Sequence, residues 1–420
     1  MAKSTPPPGT ADIFPEEINV WYNLEDTARK VFSLYGFGEL RTPIFEYTEV
    51  FKRGLGDATE VVQKEMYTFE DRGGRSMTLR PEGTASVMRA LLNTDVLNGN
   101  EKRVYYIGPM FRGERPAAGR RRQFHQIGVE NVGRVAPELD AENIAMLMHY
   151  LEELKITGAE LLINTRGVEE DRIPAAKMLK EYFGKSIDTM CEDCKTRLEN
   201  NVWRILDCKQ EVCQEFIENA PDVVECFTEN TKNYFKRVCE ILDSLGVEYV
   251  VDKRLVRGLD YYVHTVFELT HPGLGAQNAI AGGGRYEVRL PQQKKPLIGV
   301  GFAAGLERLI MAQESLGVIP EEQLSLDCFI VSMGEEARAK ALELAGTLRK
   351  ANIAVIPEVE AKSMKAQMRS ANRLNAKNVI IIGESELENN EFVVKNMGEG
   401  TQETLSFDSD IAAIQSVLNK

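Results

Sequence analysis

The stretch from Tyr105 to Gly133, YYIGPMFRGERPAAGRRRQFHQIGVENVG, constrains the fold more than any other. Val104 to Arg112 and Arg122 to Asn131 alternate around aromatic and apolar residues, which predicts two strands joined by a long basic turn. Strand side chains repeat every two residues, so Arg122, Phe124, Gln126, Gly128 and Glu130 share one face. A cation, a ring, an amide and a carboxylate make a poor core and a good surface for a polar ligand. In the turn, Arg115, Arg120, Arg121 and Arg122 have only Glu114 as a local counter-charge. In a chain of net charge -13, phosphate is the simplest reason for such a loop. The competing reading is a solvated, Arg-rich hairpin tip.

The 420 residues exceed one core, so two or three domains are expected. Composition is that of a soluble globular protein, with 43% hydrophobic and 27% charged residues. No apolar run is long enough to span a membrane and no signal-peptide core opens the chain, so a cytoplasmic location is expected. The acidic balance argues against indiscriminate coating of nucleic acid, and no DNA partner is expected; an enzyme with local basic patches remains compatible. Of the seven cysteines, Cys191, Cys194, Cys208 and Cys213 form C-x2-C-x13-C-x4-C. That spacing is compatible with a structural zinc site or with four unremarkable cysteines in a helical segment, and no metal ligand is assigned.

Glu16 to Tyr35 has helical periodicity and ends at Gly36 and Gly38. The next predicted strand, Glu39 to Phe45, contains Pro43, which places it at an edge or interface. Met66–Glu70 and Ser76–Arg80 flank the turn Asp71-Arg72-Gly73-Gly74, and Pro81 and Thr84 open a helix. Glu82 and Thr84 sit at that strand-to-helix junction, where Thr84 is a candidate ligand or a plain cap. A helix is predicted over 137–155 and a strand from Ala159 to Asn164, followed by charge-rich helices over 170–248. Two strand-like runs then surround Arg257-Gly258-Leu259-Asp260-Tyr261-Tyr262. Gly299-Val300-Gly301-Phe302-Ala303-Ala304 fits a dinucleotide fingerprint weakly, with no acidic strand end following. Its glycines are expected to let strand and helix pack closely, with Arg308 one turn into the helix. Beyond 325, strands and helices alternate as in a small α/β domain. Its second predicted helix carries Lys362, Lys365, Arg369, Arg373 and Lys377 as one basic stripe.

The strings FRGERPAAGRRRQFHQ, LRPEGT, RGLDYY and PLIGVGFAAGLERL, in this order, resemble histidyl-tRNA synthetases of class II. The resemblance implies an α+β multidomain chain: an antiparallel class II sheet flanked by helices, with a helical insertion and a C-terminal α/β anticodon-binding domain. Catalytic core is expected at 1–169 and 249–322, the insertion at 170–248 and the anticodon-binding domain at 325–420. It implies L-histidine, ATP with Mg2+, and tRNA(His) as substrates and partners, and a homodimer with Pro43 at its interface.

By the same resemblance, Arg112 and Arg257 are the catalytic cations at the α-phosphate, and Arg308 meets the γ-phosphate. Arginine suits these roles because it stays charged and binds oxyanions through paired hydrogen bonds. Phe124 would stack on adenine. Glu82, Thr84 and Gln126 would hold the amino group of histidine, and Glu130, Tyr262 and Tyr286 would read its ring. The tRNA contacts implied are Arg115, Arg120, Arg121 and Arg122 at the acceptor end and Lys365 and Arg369 at the anticodon. The chain departs from the family where Glu287-Val288-Arg289-Leu290 replaces an aspartate, a glycine and a longer helix, and where Ala117-Ala118 replaces a larger, more polar pair. Two rival readings are a non-catalytic paralogue, such as the regulatory subunit of ATP phosphoribosyltransferase, and a nucleotide-dependent dehydrogenase.

Overall fold

The computed structural model describes residues 4–419 apart from 57–58, 99, 258–260, 276, 291–292, 294 and 321–325. Gly258, Leu259 and Asp260 of RGLDYY, and the expected start of the last domain at 325, therefore lie outside the described residues. The chain divides into two compact units, Met1–Pro320 and Glu321–Lys420.

In the first unit the strands are β1 (Gly38–Glu39), β2 (Phe45–Tyr47), β3 (Thr68–Glu70), β4 (Ser76–Leu79), β5 (Lys102–Phe111), β6 (Gln123–Val132), β7 (Glu160–Thr165), β8 (Val250–Val251), β9 (Tyr262–Thr270), β10 (Ala279–Val288) and β11 (Leu297–Gly305). The helices are α1 (Ile18–Leu34), α2 (Thr48–Leu55), α3 (Thr84–Leu91), α4 (Pro137–Glu153), α5 (Glu169–Gly184), α6 (Glu192–Asn200), α7 (Glu211–Glu218), α8 (Glu229–Ser244) and α9 (Leu306–Leu316). Eight strands form one sheet in the order β1-β5-β6-β11-β10-β9-β7-β8. Its central pairings are antiparallel, and only the short β1 and β8 add in parallel. An antiparallel neighbour on each side of β11 removes any βαβ unit, so the GVGFAA string is no dinucleotide fold.

The alternation expected of β6 sorts its residues between two cores. Ile127 and Val129 enter a cluster with Leu24, Val31, Leu147, Tyr150 and Phe302, beneath α1, α4 and α9. Phe124 and Val132 join the opposite cluster, where Phe51 and Met88 of α2 and α3 meet Tyr106, Tyr262 and Tyr286. Fully burying each such side chain contributes about 1.5–3 kcal/mol. A helix-roofed sheet with one polar-lined face follows from that sorting.

Two sequence expectations change. The single strand predicted over Glu39–Phe45 is two strands in different sheets: β1 edges the large sheet and β2 pairs with β4 of a three-stranded sheet. Exposed Pro43 lies in the connection, since it offers no N–H to a ladder and fixes φ. The second concerns 170–248. Its own hydrophobic cluster runs from Ala175 to Phe227, together with Val256. Helix α8 instead puts Val238 and Leu242 into the cluster beneath the sheet, because its apolar stripe matches that of α4.

The second unit contains β12 (Cys328–Ser332), α10 (Glu335–Lys350), β13 (Val355–Pro357), α11 (Met364–Arg373), β14 (Asn378–Ile382), α12 (Glu384–Glu388), β15 (Glu391–Asn396), β16 (Gln402–Ser406) and α13 (Ile411–Leu418). Its sheet order is β13-β12-β14-β15-β16, parallel across the first three strands and antiparallel across the last two.

Candidate active site

The site is built on the sheet face that carries the even-numbered residues of β6. Glu130 is buried there and accepts two hydrogen bonds, from Thr84 Oγ1 at 2.7 Å and from the Tyr286 hydroxyl at 2.6 Å. Burial pushes its carboxyl up to about 8, although those two donors pull the other way and nearby Glu82 adds to the rise. Glu82 is buried too, which raises its carboxyl. The backbone N–H groups of Thr84 and Ala85 donate to it at 2.7 and 2.8 Å, so Glu82 also caps α3. Thr84 is thus no simple cap, because its hydroxyl is spent on Glu130.

Tyr286 reaches Glu130 despite the changed residues that follow it. Tyr262 faces Tyr286 across β9 and β10 in register, and Tyr261 packs tilted against Tyr262 and edge-on to Tyr286. The Gln126 side-chain amide oxygen, Oε1, is shielded from solvent and, among the described residues, has no hydrogen-bond partner. A buried acceptor left open is a place for a ligand donor.

Two of the arginines act on this polar floor, Arg112 on Glu82 and Arg257 on Tyr262. Arg257 pairs with Glu268, and its Nε is buried with no partner among the described residues. Its guanidinium lies where a side chain on Gly282 would be, so that glycine in AGGG keeps a bed for it. Arg112 donates to the Pro81 carbonyl at 2.9 Å and lies over the Phe124 ring at 5.3 Å. Arg308, in the first turn of α9, donates to the carbonyls of Gly119, Gln277 and Ala279.

The glycines before α9 also serve neighbours within the sheet. A Cβ on Gly299 would collide with the Tyr286 phenol, and one on Gly301 with the Val129 carbonyl and the Glu130 carboxylate. They make room for the neighbouring strands and for the Tyr286 and Glu130 side chains across the sheet.

The basic turn closes tightly through Ala117 and Arg120, with Gly119 at φ 68°. Arg120 pairs with Glu114 at 3.2 Å, while Arg115 is exposed. Arg122 is differently placed: it donates to the carbonyls of Glu114 and Pro8 and holds the N-terminal lead-in. In the second unit, Lys365, Arg369 and Arg373 are exposed on or beside one face of α11. Lys362 and Lys377 flank the helix and are ion-paired with Glu358, Glu360 and Asp327, so the stripe's free charge is confined to its middle.

Sequence reasoning missed Tyr106, whose buried ring lies between Gly83 and Gly128. Its pairing with Gly128 across β5 and β6 was the available signal. It also missed Glu268, the lone carboxylate in the apolar run VFELT, and Glu307, which accepts from the His125 N–H at 3.0 Å and ties α9 to β6. A cavity of about 530 Å³ beside β2, lined by Tyr47, Ser76 and Arg89, contains none of these groups.

An eight-stranded, mainly antiparallel sheet flanked by helices, with a second unit carrying its own five-stranded sheet, is the fold of class II aminoacyl-tRNA synthetases. The histidyl-tRNA synthetase family model matches residues 9–309, and the anticodon binding domain model matches residues 327–417. The chain belongs to the histidyl-tRNA synthetase family. A histidine–tRNA ligase of Halothermothrix orenii is 47% identical over 414 residues, 98% of this chain and 99% of its own length. That of Natranaerobius thermophilus is 45% identical over 399 residues, 94% of this chain and 95% of its own. The apo S. aureus histidyl-tRNA synthetase structure superposes with a TM-score of 0.81 at 37% identity, covering 100% of both chains. With full-length ligase relatives and a matched anticodon binding domain, the paralogue reading is not favoured.

Proposed function

We propose that this chain is a histidine–tRNA ligase. It activates L-histidine with ATP to histidyl-adenylate and pyrophosphate, then transfers the histidyl group to the 3′ end of tRNA(His). The observation that carries this reading is the enclosed Thr84–Glu130–Tyr286 network, set beside Arg112 and Arg257 in a chain matched to the family over both units.

In the first step a carboxylate oxygen of histidine attacks the α-phosphorus as the bond to the bridging oxygen of pyrophosphate breaks. Negative charge grows on oxygens that Arg112 and Arg257 face, and fixed cations in an enclosed site stabilise it with little reorganisation. The unpartnered Nε of Arg257 suits an oxyanion. Arg308 takes the γ-phosphate, exchanging neutral carbonyl partners for a stronger anionic acceptor. Phe124 stacks on adenine on the ring that Arg112 now covers. Glu268, the ion-pair partner of Arg257, would help hold the Mg2+ that accompanies ATP, which would offset the charge of the leaving pyrophosphate.

Glu82 and the open side-chain amide oxygen of Gln126 receive the ammonium of histidine, with Thr84 beside them. Glu130, Tyr262 and Tyr286 read the imidazole. A side chain without matching N–H groups would leave these buried atoms unpaired, which discriminates strongly. Arg115, Arg120 and Arg121 meet the acceptor end, with Arg122 bracing the loop, and Lys365 and Arg369 meet the anticodon. Residues 1–169 and 249–322 serve as catalytic core, 170–248 as insertion with its last helix α8 packed beneath the core sheet, and 325–420 as anticodon-binding domain. The exposed Ile44, Phe45, Tyr47, Tyr67 and Phe69 around the three-stranded sheet support a homodimer through that face. Among the described residues no helix is long and apolar enough to cross a membrane, and a cytoplasmic location fits the proposed substrates.

The test is exchange of labelled pyrophosphate into ATP by the full chain. Exchange that requires L-histidine, with charging of tRNA(His), is expected. Exchange absent, or equal with other amino acids, overturns the reading.

A further inference from the structure

Outside the active site, the densest group of potential metal ligands among the described residues is in the insertion. Cys191, Cys194, Cys208 and Cys213 are brought together from three segments, and their sulfurs all lie within 4.8 Å of one another. Three of the four are buried and none is in a disulfide. Cys191 Sγ and Cys208 Sγ are 3.7 Å apart. A tetrahedral tetrathiolate with bonds of about 2.3 Å has sulfurs separated by about 3.8 Å. The Cys191 N–H also points at Cys213 Sγ from 3.4 Å, a donor suited to a charged sulfur.

The local fold explains the convergence. Cys191 is the N-cap of α6 and Cys194 its third residue, while Cys213 is the third residue of α7 and Cys208 lies just before that helix. Two helix N-termini therefore face the sulfurs, and their partial positive charge favours thiolates. The other three cysteines serve as internal controls. Cys226 sits against Met178, and neither Cys239 nor Cys328 belongs to the cluster. Simple core packing gives no reason for four thiols to meet at one point.

We propose that Cys191, Cys194, Cys208 and Cys213 bind one zinc ion as a structural tetrathiolate. The four thiols release their protons as four sulfur–zinc bonds form, with no change of oxidation state. The ion staples the N-termini of α6 and α7 to the loop between them, in a segment whose own core is small. That loop has a second task. Leu206, Asp207, Cys208 and Lys209 line a cavity of about 410 Å³ whose lining also includes Arg257 and Glu268. Gln214 of α7 holds the Cys208 carbonyl at 2.6 Å, so fixing the sulfurs also fixes this wall.

The full chain, purified without a metal-chelating tag and kept reduced, is expected to carry about one zinc per polypeptide by elemental analysis, as a four-ligand structural site requires. Cobalt exchanged for the zinc should give sulfur-to-metal charge-transfer and tetrahedral ligand-field bands. Cys208→Ser should lose most of the metal, and Cys226→Ser should keep it. If Cys208→Ser does not fold, wild-type metal content and the cobalt spectrum decide alone. Zinc below about one ion per ten chains after reconstitution, or cobalt bands of oxygen and nitrogen ligation, overturns the proposal, as does a Cys191–Cys208 disulfide in protein purified under reductant. None of these readings depends on the ligase activity.

Discussion

Replacing Glu130 by glutamine tests the central network through its charge while preserving its shape. The Glu130 carboxyl is pushed up to about 8 from an ordinary 4.5. Below pH 4.5 it is protonated in both folded and unfolded chains. As pH rises, the unfolded chain ionises freely while burial keeps the folded carboxyl protonated, so the folded state loses stability until pH passes about 8. The separation is about 3.5 pH units, at about 1.4 kcal/mol each, which bounds the loss at about 5 kcal/mol. Most of it, about 3 kcal/mol, falls between pH 5 and 8. Glu82 is raised by the same burial, so the pair titrates together and the change spreads over a wider window. Glu130→Gln has no charge to bury and should gain on wild type by about that amount across the window. The assay is urea unfolding of the ligand-free full chain, followed by tryptophan fluorescence at pH 5, 6, 7 and 8. Both tryptophans, Trp21 and Trp203, lie in the first unit and report on it selectively. Saturating histidine should flatten the wild-type slope, because imidazole N–H groups stabilise the carboxylate. A wild-type-minus-variant difference that stays constant from pH 5 to 8 would refute the burial argument.

Arg257→Ala should leave histidine binding nearly intact and slow adenylate formation at least ~100-fold; near-normal exchange by the folded variant removes Arg257 from the chemistry. Changing Lys365 and Arg369 together to alanine should weaken tRNA charging and lower the magnitude of its salt slope by about two, leaving pyrophosphate exchange unchanged. Wild-type charging across a salt series would make this helix face merely solvated. If the proposed homodimer forms through the three-stranded sheet, Phe69→Glu should shift the chain toward monomer in sedimentation at micromolar concentration; a variant that sediments as wild type would refute that interface.

Much of the first unit is written locally. The alternation in β5 and β6 depends on neighbours two residues apart, so strand limits and shared faces could be read directly, as could the Asp71–Gly74 turn and the helix opened at Thr84. The ordered strings around Arg112, Arg257 and Arg308 likewise supplied the residues proposed for the site. What required tertiary structure was which partner each group meets. Thr84 and Tyr286 are 46 and 156 residues from Glu130, and only the sheet order brings both hydroxyls onto one carboxylate. Pro43 was visible, but that it divides one run between two sheets depends on pairing elsewhere. Helix α8 could be predicted from its periodicity, whereas its docking on α4 could not. The cysteine spacing was ambiguous as text; three separate segments had to fold before four sulfurs met within 4.8 Å. Local pattern is short-range sterics and burial preference, fixed by neighbours along the chain. A site is long-range closure, and it exists only once distant segments have lost the entropy that kept them apart.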